Sequence, residues 1–581
     1  MKPEHDSQCD VRSGNRNRKE PTGEAGKTEQ WRLAQARLLN PGKWRSALSA
    51  FVLLFAVPLS AEAINWTDGL TIFGMARIRP EFHANSDFNR RTDDTREFVG
   101  SIAQLGLEKN LSEDTSIVLR IQDSRVWGGN PGSDNGFGTA NDFTEDSLDM
   151  REAYIQSENL LGPLGIRFGR QMLAYGSERQ IGKVGWSNVG RSFDALEMHM
   201  EWGIWKTSMA GAVLAEEDSD GGGNGTQVGR SNPSGLTFSC DPTTKLCTVQ
   251  ASTARELDDA YLAVFYNEFR IHPQFQLEPY YIGVYKKWIP ASVSPYPGIP
   301  VPPRARDRQR DNLHTVGLRI TNKTVKGKSA HPMFDYSLEG AIQTGFNGER
   351  VQAGWDWLNQ VDANGDPVYT EKQSYEAYAI YADLGFKPLE TFRIGLVAEL
   401  ASGDANRNDA RINTYTQLYP TNHGPMGDMD LVGSRNLIAR ALTLGLDLGK
   451  AGNMKIAYWH FKKHRAQDSY YSNGGAVARD GDGELMSTET SSNSRYSTVL
   501  DANRKISENS VAQLSSQLFH EYNITYSVSV NQLKLDIGYG QAYALSSIRH
   551  RVDETFNQPD LRDPAFDPRS DFAYLMVTAK F

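Results

Sequence analysis

The sequence predicts an all-β protein: a transmembrane antiparallel up-and-down β-barrel of 18 strands, with long outer loops and short periplasmic turns. Three observations predict it. Segment after segment alternates polar and apolar residues with period two, as a strand with one lipid-facing and one water-facing side must. The links between these segments alternate strictly between long and short. And the 581 residues, 39% hydrophobic, lack the several apolar runs of about 20 residues that a helical membrane protein needs. The 24 Phe, 24 Tyr and 11 Trp exclude simple disorder. A net charge of −9 gives no general pull toward nucleic acid.

The chain opens on a leader. An apolar stretch, residues 46–59, follows Lys43 and Arg45 and precedes Ala61-Glu62-Ala63. Basic flank, short apolar run and small-residue site together predict a secretory signal peptide, cleaved after Ala63. Residues 1–63 then form the leader and residues 64–581 the barrel. The polar, irregular residues before Lys43 are not expected to belong to the barrel, and Cys9 is expected to leave with the leader.

Strands are expected near 68–82, 98–108, 114–127, 147–159, 164–175, 191–202, 204–215, 257–270, 274–287, 311–325, 332–346, 373–386, 390–402, 435–448, 453–463, 514–530, 532–541 and 571–581. The eleventh is typical. Phe334, Tyr336, Leu338 and Ile342 share one parity; Asp335, Ser337, Glu339 and Gln343 share the other. In the sixteenth, Tyr522, Ile524, Tyr526 and Val528 alternate with Glu521, Asn523, Thr525 and Ser527. A soluble sandwich could show the same alternation, but it has no reason to sort its links. Here every even-numbered strand is followed by a short link, such as 387–389 or 449–452. Every odd-numbered strand is followed by a long one, such as 216–256, 403–434 or 464–513. Both chain ends therefore lie on the periplasmic side. The last strand ends on Phe581, on the face of Leu575, Val577 and Ala579.

Eighteen strands enclose an aqueous channel, so function falls to inward side chains and long loops. Opposite the apolar parity lie Arg77, Arg79 and Glu81 on the first strand, and Arg120 and Gln122 on the third. Arg319 lies inward on the tenth and Arg393 on the thirteenth. The parity is well constrained, because Arg or Lys facing lipid at the midplane costs about 2–4 kcal/mol. Rings of Arg or Lys suit anion pores, and a guanidinium meets a carboxylate bidentately. Inward Glu81, Glu339, Glu399 and Asp536 offset part of that field, which leaves a weakly selective, mixed-charge lumen as the second reading.

Cys240 and Cys247 sit six residues apart in a polar stretch of an exported chain. This pattern favours a disulfide in an outer loop between the seventh and eighth strands, with two free thiols as the alternative. No His or further Cys accompanies them, so zinc is not expected. Asp404-Ala-Asn406-Arg-Asn408 imitates the start of a calcium loop, but Asp409 and Tyr415 stand where glycine and glutamate are needed. Asp218 with Asp220, and Asp480, Asp482 and Glu484, read as solvated loop tips. No Walker A, H-E-x-x-H or G-x-S-x-G pattern is present. The expectation is a channel without cofactor or metal, not an enzyme; a barrel enzyme, whose residues only the fold assembles, is the remote alternative.

Two stretches, with MREAYI at 150–155, resemble the alginate export family of outer-membrane proteins. They are IRFGRQMLAYGSERQIG with GWSNVGRSFDALEM (166–198), and ELASGDANRNDARINTYTQLYPTNHGPMGDMDLVGSRNL (399–437). HEYNITYSV at 520–528 and the closing strand fit too. The resemblance implies a monomeric 18-strand barrel in the outer membrane of a Gram-negative bacterium, passing a polyuronate through an arginine-rich constriction. It adds Arg151 and Arg170 as lumen candidates, with Arg191 and Asp194 as further ones. Arg170 shares the parity of Ile166 and Phe168, so either Gly169 marks a bulge or Arg170 lies past the lipid band. The expected function is passive passage of anionic solutes, acidic oligo- or polysaccharide above all, with a broad porin for small nutrients as the alternative. Expected partners are outer-membrane lipid, the anionic saccharide or other small anions, and, for export, periplasmic proteins; nucleic acid is not among them.

Overall fold

The computed structural model describes residues 64–67, 69–89, 94–127, 148–215, 236–240, 247–251, 260–286, 311–323, 333–352, 369–405, 411–478, 486–487, 515–549 and 566–581. The expected signal peptide and acidic loop tips lie outside these residues. The barrel strands are β1 (Leu70–Ala84), β2 (Arg96–Asn110), β3 (Thr115–Val126), β4 (Asp149–Leu161), β5 (Leu164–Gln171) and β6 (Phe193–Trp202). They continue as β7 (Trp205–Ala215), β8 (Ala260–His272), β9 (Phe275–Lys286), β10 (Asp311–Thr321), β11 (Phe334–Gln352) and β12 (Tyr369–Leu389). The set ends with β13 (Phe392–Ala401), β14 (Leu437–Asp447), β15 (Asn453–Lys463), β16 (Gln517–Val530), β17 (Leu533–Ala544) and β18 (Arg569–Lys580). Each is antiparallel to its chain neighbours, and β18 pairs with β1, so the sheet closes. Two short strands join its edges: Ile64–Thr67 beside β1, and Arg411–Ile412 parallel to β12. Among the described residues no helix is long and apolar enough to cross a membrane.

Phe581 and one glycine extend this closing seam. The Gly74 and Phe581 backbones exchange N–H···O bonds of 2.9 and 3.1 Å. A Cβ at Gly74 would overlap the Phe581 ring and the Gln104 carbonyl. Gly74→Val is therefore expected to cost about 1–3 kcal/mol of barrel stability by overpacking. Heat-modifiable electrophoretic mobility should show a smaller folded fraction; a folded yield equal to the parent's would refute this.

Strand ends depart from expectation where the lipid constraint stops. β11 and β12 run on to 19 and 21 residues, joined by Arg350↔Lys372 and Val351↔Glu371. Outside the bilayer no face needs to be apolar, so the period-two signal fades while the backbone ladder continues. β5 stops at Gln171 rather than 175, because the chain turns into the lumen there and buries Leu173 and Ile181.

That inward turn sets the interior. The 172–192 loop and the described parts of the 402–436 and 464–478 links fold inside the wall. The buried cores lie within the barrel, where large side chains from loops and wall meet small inward alanines. One gathers Tyr415, Met426 and Met429 of the 402–436 loop against Ala439, Trp459, Phe461 and Phe519. The other gathers Leu173 and Ile181 against Phe193, Leu262, Val264 and Ile282. The open aqueous channel expected from strand number alone is thus partly filled.

Cys240 and Cys247 are Cα partners in a two-stranded hairpin, Leu236–Cys240 with Cys247–Ala251, between β7 and β8 in the chain. Their side chains, and so the expected disulfide, lie outside what is described.

Candidate pore lining

The two infolded loops are stitched to one another. Ile181 and Tyr419 form a parallel bridge, and backbone bonds join Gly182 to Tyr419 and Tyr419 to Gln180 at 2.8 and 2.9 Å. The Trp186 ring stacks on His423 with centroids 3.6 Å apart. Arg191 donates to the carbonyls of Gly182, Tyr419 and Pro420. Burial pushes its guanidinium down to about 10, still charged at neutral pH.

Several of the expected lumen arginines hold this loop. Arg77 on β1 is 6% exposed. It donates to the carbonyls of Gly185, Trp186 and Ser187 at 2.7, 3.0 and 3.0 Å, and to Asn188 Oδ1 at 2.9 Å. Arg79 pairs with Glu81 at 2.6 Å and lies 3.8 Å from the Trp186 ring centroid. Arg151 donates to Lys183 O, Val189 O and Ser192 Oγ. It faces inward together with its neighbour Glu152, because the β3–β4 register shifts between Arg120 and Ile121, making Arg151 a bulge residue.

The remaining inward wall arginines expected from parity sit in ion pairs. Arg319 meets Glu278 at 2.7 Å, and Arg393 meets Asp335 and Asp383 at 2.6 and 2.8 Å. Arg120 pairs with Glu152 at 3.1 Å above the Phe73 ring. Arg170 and Asp194 depart from the lumen expectation. The β5 register runs unbroken on both sides of Gly169, so no bulge reverses the parity. Both residues point outward, near the outer ends of their strands, and pair at 3.1 Å; Asp149 completes the group at 3.4 Å.

Among the described residues, two of the cavities around the loops are lined by basic side chains. The larger, about 470 Å³, is lined by Arg77, Arg120, Arg151, Lys183, Lys534 and Lys580, with Asp536 as its carboxylate. The smaller, about 320 Å³, is lined by Arg179, Arg319, Lys323, Arg393 and Lys455 against Glu339 and Asp383. Basic side chains outnumber acids in both, although the chain is acidic overall. Among the described residues Lys455 and Lys580 meet no partner. Sequence reasoning passed over these lysines. Lys455, Lys534 and Lys580 do carry the inward parity, as Lys455 does beside Ala457 and Trp459. Arg179 and Lys183 ride on a loop without period and leave no such signal. Among the described residues no group of three or more His, Cys, Asp or Glu side chains could hold a metal ion.

No curated protein matches the chain in sequence. Solved structures similar to it include Pseudomonas aeruginosa OccK11 (OpdR), at 10% identity and a TM-score of 0.43, covering 88% of this chain and 96% of that one. Pseudomonas aeruginosa OpdO gives 11%, 0.45, 89% and 98%. Acinetobacter baumannii OccAB1 gives 11%, 0.44, 90% and 98%. The family model for alginate export matches residues 69–212 and 248–544. This closed 18-strand barrel with a basic, loop-filled lumen belongs to the alginate export family and is an outer-membrane channel.

Proposed function

We propose that the channel passes anionic solutes passively, with acidic oligo- or polysaccharide such as alginate as the substrate class. The observation that carries this reading is the larger cavity, where six basic side chains face one carboxylate. Fixed cations lining a narrow route lower the electrostatic cost of an anion entering it. Arg120, Lys534 and Lys580 are the groups least committed to holding the loop. The chain has no nucleotide-binding motif, so the driving force is the solute's own gradient. Arg319 and Arg393, each neutralised by wall carboxylates, favour a second reading: a broad porin for small nutrients, with weak charge preference.

Reversal potentials in planar bilayers under a salt gradient, with polyuronate as blocker, separate the two. Anion selectivity with polyuronate block is expected, and it should weaken in R120A/K534A/K580A. Cation selectivity without block would sink the anion reading.

A further inference from the structure

The outer wall carries a charge pattern that transport does not use. On β14 to β18, one register row runs through Arg440, His460, His520, Tyr543 and Arg569: each is the Cα partner of the next. All five point outward. Arg440 shares its face with exposed Leu442, His460 with Tyr458, His520 with Tyr522, and Tyr543 is itself exposed. Each lies within three residues of the end of its strand that joins a long link. Neighbouring strands are about 4.8 Å apart, so the row spans roughly 19 Å. Lys462, two residues nearer the outer end than His460, adds a further cation.

The row sits on an aromatic shelf of Tyr458, Tyr522 and Tyr539, the composition of a membrane–water interface. Its described carboxylates are occupied: Asp571 accepts from Arg569, Tyr539 and Gln541 at 2.9, 2.7 and 2.8 Å, and Asp567 accepts the Arg569 backbone N–H at 3.2 Å. Arg440 and Lys462 meet no acid or acceptor among the described residues. His460 and His520 rings lie 4.9 Å apart, held by Gln517 and Tyr458. The wall at β4 to β6 differs. There Arg170 is outnumbered by Asp149 and Asp194. A generic solvated rim would not concentrate cations on one sector.

We propose that Arg440, Lys462, His460, His520 and Arg569 form a docking site for the phosphorylated headgroup of an outer-leaflet glycolipid. Unpaired Arg and Lys supply charge-assisted bonds to phosphate oxygens. The tyrosine shelf beneath takes the sugar–acyl boundary, and the position at the outer strand ends matches where such headgroups lie. A lipid fits better than free phosphate, because the row borders the lipid-facing apolar wall rather than the lumen.

The test uses the full barrel in detergent, incubated with bis-phosphorylated lipid A and read by native mass spectrometry. Dephosphorylated lipid A and inorganic phosphate are the comparison ligands. R440Q/K462Q should weaken retention about thirtyfold and R440Q/K462Q/R569Q about a hundredfold, at the usual electrostatic contribution of each cation near an anionic lipid surface. The double variant leaves the Arg569–Asp571 pair intact, so it is read even if the triple variant folds poorly. Unchanged retention in the double variant would overturn the proposal. So would equal binding of phosphorylated and dephosphorylated lipid, or displacement of the lipid by inorganic phosphate at matched concentration.

Discussion

Arg77→Ala is expected to raise single-channel conductance several-fold while leaving the barrel folded. The side chain donates to four oxygens of residues 185–188, more than any other wall residue gives this tip, with Arg79 on Trp186 and Gln122 and Ser124 on Asn188 O as further wall contacts. Bonds from a charged donor are worth about 1.5–3 kcal/mol each. Arg79 and Arg151 still hold the flanks, so the segment should loosen rather than leave. Arg77→Lys should not restore the closed conductance, because an ammonium cannot reproduce the planar fork that spans several carbonyls. Single-channel recordings of the three proteins, with heat-modifiable mobility as the folding control, decide it. A conductance in R77A equal to the parent's would mean that the loop's position does not depend on this anchor.

The second large effect is expected at another loop-to-wall contact. Arg179 of the 172–192 loop donates to Glu399 on β13 and to Pro425 O at 3.2 Å, beneath the Tyr381 ring. Glu399 is 2% exposed, and its Oε1 has no hydrogen-bond partner. Removing one member of a buried pair strands the other charge, at about 3–5 kcal/mol. Arg179→Met should therefore lower the urea midpoint in detergent markedly. The double variant R179M/E399L removes both charges and should recover most of the loss. Equal midpoints for R179M and the parent would show that water already solvates Glu399.

The membrane-embedded part of the fold was legible because lipid enforces it: each strand needs an apolar outer face, and each pair needs a turn. Thus Arg77, Arg79, Arg120, Arg319 and Arg393 could be turned inward from parity alone. Arg170 shows the limit of motif resemblance against parity: its outward direction was already written in Ile166 and Phe168. The filled interior was not legible. Ile181, Val184 and Trp186 follow no period, and their partners Tyr419, Thr421 and His423 lie more than 200 residues away in the chain. Nor does the period-two pattern separate an inward Trp459 or Phe461 from an outward Tyr458, since both faces of β15 are apolar there. Arg151 escaped parity altogether, because a bulge cannot be read from one strand without its neighbour.

The seam between β1 and β18 has a kinetic meaning. Met75 pairs with Lys580, and Glu81 with Tyr574. Every other wall junction joins strands adjacent in the chain, whereas this one links its two extremes. Loop-closure entropy makes such a contact the slowest to form, and until it forms two strand edges stay open to other chains. Because the Phe581 backbone supplies a rung of this seam, closure cannot finish before that residue has been delivered. The step from open sheet to closed cylinder should therefore set the assembly rate, and any delay there exposes the protein to edge-to-edge association.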